Sequence, residues 1–248
     1  MRRFTSFALA GTLALAALAP AAPNPVTDPK HNRPKLILAL MVRWDYLVRF
    51  RGQYTGGLKR LLEQGAVYTN AHLEHYPTVT AIGHSTFLSG AKPGVSGIIG
   101  NDWYDRDSGR NVTSVFDPEA QPIGGAKGES ASPRRMLVST VGDELKMAGR
   151  GSKVIGISLK DRGAILPAGH MADWAFWFQG DNFVSSTYYG QDVPAWAKAF
   201  NESKWFNQYA EKDWSPVSGG TPLLKLPAAG PKLASAITNS YLGNDLIE

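Results

Sequence analysis

Seven apolar residues in a row, LILALMV at residues 36–42, admit no polar face, and KVIGISL at 153–159 is nearly as unbroken. A strand with one side in water alternates polar and apolar positions. A continuous run belongs to a strand covered on both sides, as in a parallel sheet between helices. The sequence between the two runs supplies the rest. TGGLKRLLEQG at 55–65 places Leu58, Leu61 and Leu62 at helical spacing, with Gly65 to stop it. AVYTNAHL at 66–73 reads as a further strand, and HYPTVTAIGHSTFLSG at 75–90 as a turn leading into a short helix over 85–89. PRRMLVSTVGDELKMAG at 133–149 predicts a helix with Ser132 as cap and Pro133 in its first position. Strands and helices in alternation predict an α/β fold with a mainly parallel sheet sandwiched by helices.

Residues 1–21 have the three parts of a secretory leader: Arg2 and Arg3, an apolar run, and Ala19-Pro20-Ala21. A proline-rich tether occupies 22–34. No later stretch approaches the ~20 apolar residues of a membrane span, so a periplasmic or secreted protein without one is expected. Removing the leader takes two arginines and no acid, leaving 24 basic against 21 acidic side chains, net +3. The basic residues are scattered, which argues against a nucleic-acid surface and leaves room for a local anion pocket. With no cysteine, neither a disulfide nor a thiolate metal site can form, and any metal must rest on Asp, Glu, His or hydroxyl oxygen. Nothing in the pattern specifies an oligomeric state.

Beyond residue 172 the composition shifts. Trp174, Trp177, Trp196, Trp205 and Trp214 are five of the chain's seven tryptophans, and SPVSGGTPLLKLPAAGP comes after them. The expected organisation is an α/β region at 35–172, an aromatic and Gly/Pro-rich cap or lid at 173–235 rather than another sheet layer, and a return toward the core at 236–248.

Ligands of open α/β sheets gather at the carboxyl ends of strands. Those positions hold Arg43-Trp44-Asp45-Tyr46, then Thr78 and Thr80, then Lys160-Asp161-Arg162. A threonine hydroxyl attacks poorly unless a base or metal takes its proton, and a helix start beside it favours an anion. Lys160 and Arg162, two apart, share one side of an extended segment and can clamp a phosphate. Asn101 can donate an amide hydrogen bond to the same group. Each residue also has a plain reading: a threonine after proline is usually a cap, a Lys-x-Arg pair solvated surface, and an asparagine after glycine a turn.

PTVTAIGHSTFLSG, GIIGNDWYDRDSG, SPRRMLVSTVGDEL and SLKDRGAILPAGH resemble, in order, motifs of the zinc-dependent alkaline phosphatase superfamily, in its threonine-nucleophile branch. More distantly they are similar to nucleotide pyrophosphatases and phosphodiesterases, which share the Pro-Thr-x-Thr core. The resemblance spans roughly residues 35 to 190. It implies that Thr80 is nucleophile and zinc ligand, forming a phospho-enzyme that zinc-activated water hydrolyses, with two zinc ions in all. It implies that Asn101 hydrogen-bonds a phosphoryl oxygen and that Lys160 and Arg162 bind the phosphate of a monoester substrate. Two cations suit a monoester dianion better than a diester, so a phosphomonoesterase is expected before a diesterase. His84 falls at a motif histidine and is expected to satisfy loop backbone, while His72, His75 and His170 lack ligand-like spacing.

Two features depart from the family. Its first strand ends Val-Asp-x-x-Arg-x-Asp-Tyr-Leu, whereas here Val42 runs directly into Arg43. The metal-binding aspartate has no counterpart, and Asp45 matches the later, structural one. The remaining aspartate and histidine ligands are expected beyond residue 248, so the resemblance makes this an inactive N-terminal fragment that keeps Thr80 alone of the ligand set. An incomplete sheet would also leave an open edge and poor solubility. The competing expectation is a non-catalytic exported protein that holds an anion with the helix start, Lys160 and Arg162.

Overall fold

The computed structural model describes residues 37, 44–149, 151–215, 219–222 and 224–238. The leader, the tether and, apart from Ile37, the expected first strand lie outside the described residues. Two compact units divide between residues 71 and 72. In the first, helix α1 (Trp44–Arg49) leads through a 3-10 turn (Arg51–Gln53) to α2 (Gly57–Gln64), close to the helix expected there. Gly65 ends α2 by donating its N–H to the Leu61 carbonyl at 3.0 Å.

The second unit contains α3 (Thr80–Ser89), α4 (Pro93–Ser96), β1 (Asp102–Asp105), β2 (Arg110–Thr113), β3 (Pro122–Ile123), α5 (Val141–Met147), β4 (Ile155–Ser158), α6 (Asp161–Ala168), β5 (Trp174–Gln179) and β6 (Asn182–Ser186). Then come α7 (Ala195–Ser203), a 3-10 turn (Trp205–Tyr209), β7 (Asp213–Trp214), β8 (Leu224–Lys225) and α8 (Pro231–Thr238). The main sheet has the order β3-β6-β5-β4. Strand β4 runs parallel to β5, with Ile155 opposite Trp174, and α6 is the crossover between them. β5 and β6 are antiparallel, as are β6 and β3. The architecture is α/β with a mixed sheet, and the one parallel pair among the described strands is the βαβ unit that carries Lys160 and Arg162.

Strand β5 has the double-sided burial expected for residues 153–159. Phe176 and Phe178 pack on one face with Phe183, Val193, Phe206, Leu226 and Leu233, while Ala175 and Trp177 pack on the other with Ala81, Ile98, Ile165, Leu166 and Val184. Strand β4 is instead an edge among the described strands, with Ile155 51% and Ile157 40% exposed. Residues 173–186, expected within a cap, therefore form the two middle strands of the sheet. The segment after them is a packed layer on the Phe176 face rather than a detached lid. Phe206 is buried with its ring 6.1 Å from that of Phe178 in an edge-to-face pair, and Trp196, itself 53% exposed, stands in the same geometry 5.0 Å from Phe176.

Three further expectations change. Residues 66–73 form no strand; all are exposed, and no described strand pairs with them. The helix expected at 85–89 begins at Thr80. The helix expected at 133–149 shrinks to α5, because Pro133 starts only a single turn. Met136 N–H bonds the Pro133 carbonyl at 2.8 Å, but the next N–H, that of Leu137, goes to Ser96 at 2.9 Å and takes the chain out of helix.

The cap that does start α5 is Thr140, whose hydroxyl accepts from Asp143 N–H at 3.2 Å while the Asp143 carboxyl accepts from Thr140 N–H at 2.9 Å. Asp143, 2% exposed, also takes the N–H of Met171 at 2.6 Å. It thus ties the start of α5 to the turn after α6. Gly169 in that turn has φ +85°, and a Cβ there would land on Thr140 Oγ1 and Asp143 Oδ2. On the other side, Asp173 accepts from Val154 N–H at 2.8 Å and pairs with Lys146 at 3.0 Å and Lys153 at 3.3 Å. Burial raises the Asp173 carboxyl, but the Val154 N–H and the two ammonium groups outweigh it and hold the group at about 2. No helix among the described residues is long and apolar enough to cross a membrane.

Gly169→Ala combines positive-φ strain with a steric conflict at a buried carboxyl, and is expected to lower the unfolding free energy in urea by at least ~2 kcal/mol. Because folding lowers the Asp173 pKa, the folded chain binds fewer protons than the unfolded one. The stability from this group is complete above its ordinary value of 3.8 and is lost as pH falls toward about 2. Urea titrations across that window should show a smaller fall in Asp173→Asn than in the parent chain; an equal fall would count against this assignment.

Candidate functional site

Helix α3 begins without a side-chain cap of its own. Val79 precedes it in extended backbone, and its carbonyl receives Gly83 N–H at 3.0 Å. A helix start leaves N–H groups without partners, and here a distant residue supplies one: Asn101 Oδ1 accepts from Ala81 N–H at 2.9 Å. With the amide oxygen so engaged, the Asn101 Nδ2 hydrogens remain as donors. Thr80, the first residue of the helix, is exposed, while Ala81 and Ile82 behind it are fully buried. The apolar pair anchors the turn, and the hydroxyl stays accessible.

The backbone carbonyl of Asn101 is occupied as well. It accepts from Ser114 N–H at 2.9 Å and from Arg162 Nη1 at 3.5 Å. Asn101 therefore joins the start of α3, through its side chain, to the first turn of α6, through its main chain. The two helices pack closely where Gly163 allows it: a Cβ there would stand 2.5 Å from Ser158 Oγ and 3.4 Å from His84 Nε2. Lys160 caps α6 in extended backbone (φ −122°, ψ 143°) and Arg162 lies inside the helix. The shared side expected from an extended segment does not apply to this pair. Arg162 reaches Asn101 because α6 points its start toward α3, while Lys160 stands just before the helix with its side chain exposed.

Arg162 is 23% exposed and stands beside an acid. Its backbone N–H donates to Asp161 Oδ1 at 2.6 Å. Its Nε is buried without a hydrogen bond, 3.4 Å from the same oxygen. Asp161 was not singled out from the sequence, although it lies between the two cations. His84 donates from Nδ1 to the Thr80 carbonyl at 2.8 Å, since a carbonyl can only accept. Burial lowers its pKa more than this bond raises it. The bond to the Thr80 carbonyl is the backbone-satisfying role expected of it.

Among the described residues no three His, Asp or Glu side chains come together as a metal site requires. His72, His75, His170 and Asp45 are not assembled, and Thr80 offers a single oxygen. These donors do not fit a pair of zinc ions, each of which needs about four ligands at fixed distances. What the geometry does bring together is the first turn of a helix, the Asn101 amide and the Arg162 guanidinium.

The sequence pattern of the family described as type I phosphodiesterase / nucleotide pyrophosphatase matches residues 41–240. Alkaline phosphatase PhoV of Synechococcus elongatus is 45% identical over 193 residues, covering 75% of this chain and 35% of the relative. The crystal structure of wild-type alkaline phosphatase PafA superposes with a TM-score of 0.71 at 36% identity, over 83% of this chain and 45% of that one. A PafA variant with one threonine, one asparagine, one lysine and one arginine replaced gives a TM-score of 0.72 at 34% identity, over 83% and 46%. The chain thus spans about a third of the curated relative and under half of the solved chains. With a family pattern that covers most of its length and a fold that matches part of alkaline phosphatase PafA, this chain belongs to the type I phosphodiesterase / nucleotide pyrophosphatase family.

Proposed function

We propose that this chain carries the phosphoryl-binding part of a phosphate-monoester hydrolase, with Asn101, Arg162 and Lys160 as the grip and Thr80 as the nucleophile. The observation that carries the reading is the double use of Asn101, which brings the first turn of α3 and the Arg162 guanidinium to one place. In support, the four residues replaced in the PafA variant are of the same types and in the same chain order as Thr80, Asn101, Lys160 and Arg162, with the lysine and arginine two apart in both. The Asn101 Nδ2 and the guanidinium each donate to a phosphoryl oxygen, and the exposed Thr80 hydroxyl faces the incoming phosphorus from the helix start. Attack would form a Thr80 Oγ–phosphorus bond as the ester oxygen leaves with its electron pair, and water would then release phosphate.

A threonine hydroxyl needs its proton removed for that attack. The resemblance assigns the task to zinc, and the donors among the described residues do not fit zinc. The described residues therefore supply binding and orientation, and no turnover of their own is expected. A diesterase is the second reading, favoured by the family's description. The cations at Lys160 and Arg162 weigh against it, since a diester presents one negative charge where a monoester presents up to two. Export rests on the leader reading, and N-terminal sequencing of secreted material starting near residue 22 would check it.

The purified 248-residue chain is expected to bind inorganic phosphate, and Arg162→Ala and Asn101→Ala each to weaken binding by about tenfold or more. Bis(p-nitrophenyl) phosphate should compete poorly, and strong competition would favour the diesterase. With zinc and p-nitrophenyl phosphate no turnover is expected. Turnover abolished by Thr80→Ala would overturn the claim of inactivity and support the nucleophile.

A further inference from the structure

An acid next to an anion-binding arginine is a conflict of charge. Asp161 repels any phosphate that Arg162 attracts, yet it is in close contact with that arginine. One of its oxygens, Oδ1, accepts the Arg162 backbone N–H at 2.6 Å and stands 3.4 Å from Nε, so it engages the base and the head of the same side chain. Nη1 meanwhile reaches the Asn101 carbonyl at 3.5 Å. The guanidinium is thus held from two directions, by an acid on its own helix and by a carbonyl from the loop before β1.

We infer that Asp161 is a positioning residue for phosphoryl binding, fixing the Arg162 fork before the anion arrives. The inference rests on the reading of Asn101 and Arg162 as the phosphoryl grip. A free arginine has many rotamers to lose on binding, whereas one already restrained loses fewer. Guanidinium recognition of phosphate depends on the direction of its N–H pairs as well as on charge. With Nε facing Asp161 and one Nη1 hydrogen on Asn101, the Nη2 edge and the remaining Nη1 hydrogen are available to phosphoryl oxygens. The carboxyl's repulsion of the anion is offset by the order it imposes on the cation.

The two roles open to Asp161 have opposite signs. If it is merely a like charge near the site, neutralising it tightens phosphate binding; if it positions Arg162, neutralising it weakens binding. Inorganic phosphate binding to the 248-residue chain, monitored by phosphorus NMR at low ionic strength, is expected to be about tenfold weaker in Asp161→Asn. In an Arg162→Ala background the same substitution is expected to have no weakening effect. Asp161→Ser, which keeps a residue suited to a helix start, should behave like Asp161→Asn, with both thermal transitions close to the parent's. Tighter binding in Asp161→Asn and Asp161→Ser, or equal weakening with and without Arg162, would overturn the role of Asp161 while leaving the grip in place. Phosphate binding that is absent from the parent chain, or indifferent to Arg162→Ala, would overturn the grip and this inference with it.

Discussion

The buried carboxyl of Asp143 is the interaction on which the second unit depends. Placed in the interior without partners, such a group would be strongly destabilising. Here it accepts from Thr140 N–H, Thr140 Oγ1 and Met171 N–H. Those donors come from the start of α5 and from the chain after α6, so one side chain closes a junction between segments about thirty residues apart. The Thr140 hydroxyl also stands 3.3 Å from the Ala168 carbonyl, the last of α6. The far end of α6 is thereby fixed at a point of high polar order.

The near end of α6 inherits that position. Ala164, Ile165 and Leu166 are fully buried against β5 and α3, and burial of each larger side chain contributes about 1.5–3 kcal/mol. An exposed ion pair contributes 0 to about 1 kcal/mol by comparison. Packing therefore sets where the helix lies, and the polar contacts at its two ends set what it does. At one end they close the Asp143 junction; at the other they aim Arg162 at Asn101. The candidate site is accurate to the extent that the core beneath it is rigid.

The places of Thr80, Asn101, Lys160 and Arg162 at strand and helix ends were legible in the sequence because each belongs to a short motif. Their mutual arrangement was less so. The Lys160–Arg162 pair looked extended by its spacing alone, and the turn into α6 came one residue sooner. The long helix expected from Ser132 and Pro133 failed because a proline start sets the first turn and leaves the second open, and Ser96 captured the next N–H. The true cap was readable as Thr140-Val-Gly-Asp143, a threonine with an acid three residues on. WAFWFQ was harder to place. An apolar aromatic run is equally consistent with a lid and with a central strand: the hairpin with β6 is local, and it is the pairing of Trp174 with Ile155 on β4 that makes the strand central.

Asn101 gives the site a built-in order of assembly. Its contact with Ala81 closes a stretch of 20 residues, whereas its contact with Arg162 closes one of 61. Shorter closures cost less chain entropy and form sooner. The amide that would meet the phosphate can be oriented while α6 is still unplaced, and the arginine then docks onto a carbonyl already turned to receive it. A chain ending between residues 113 and 161 would contain both partners of the Ala81–Asn101 contact and lack Arg162.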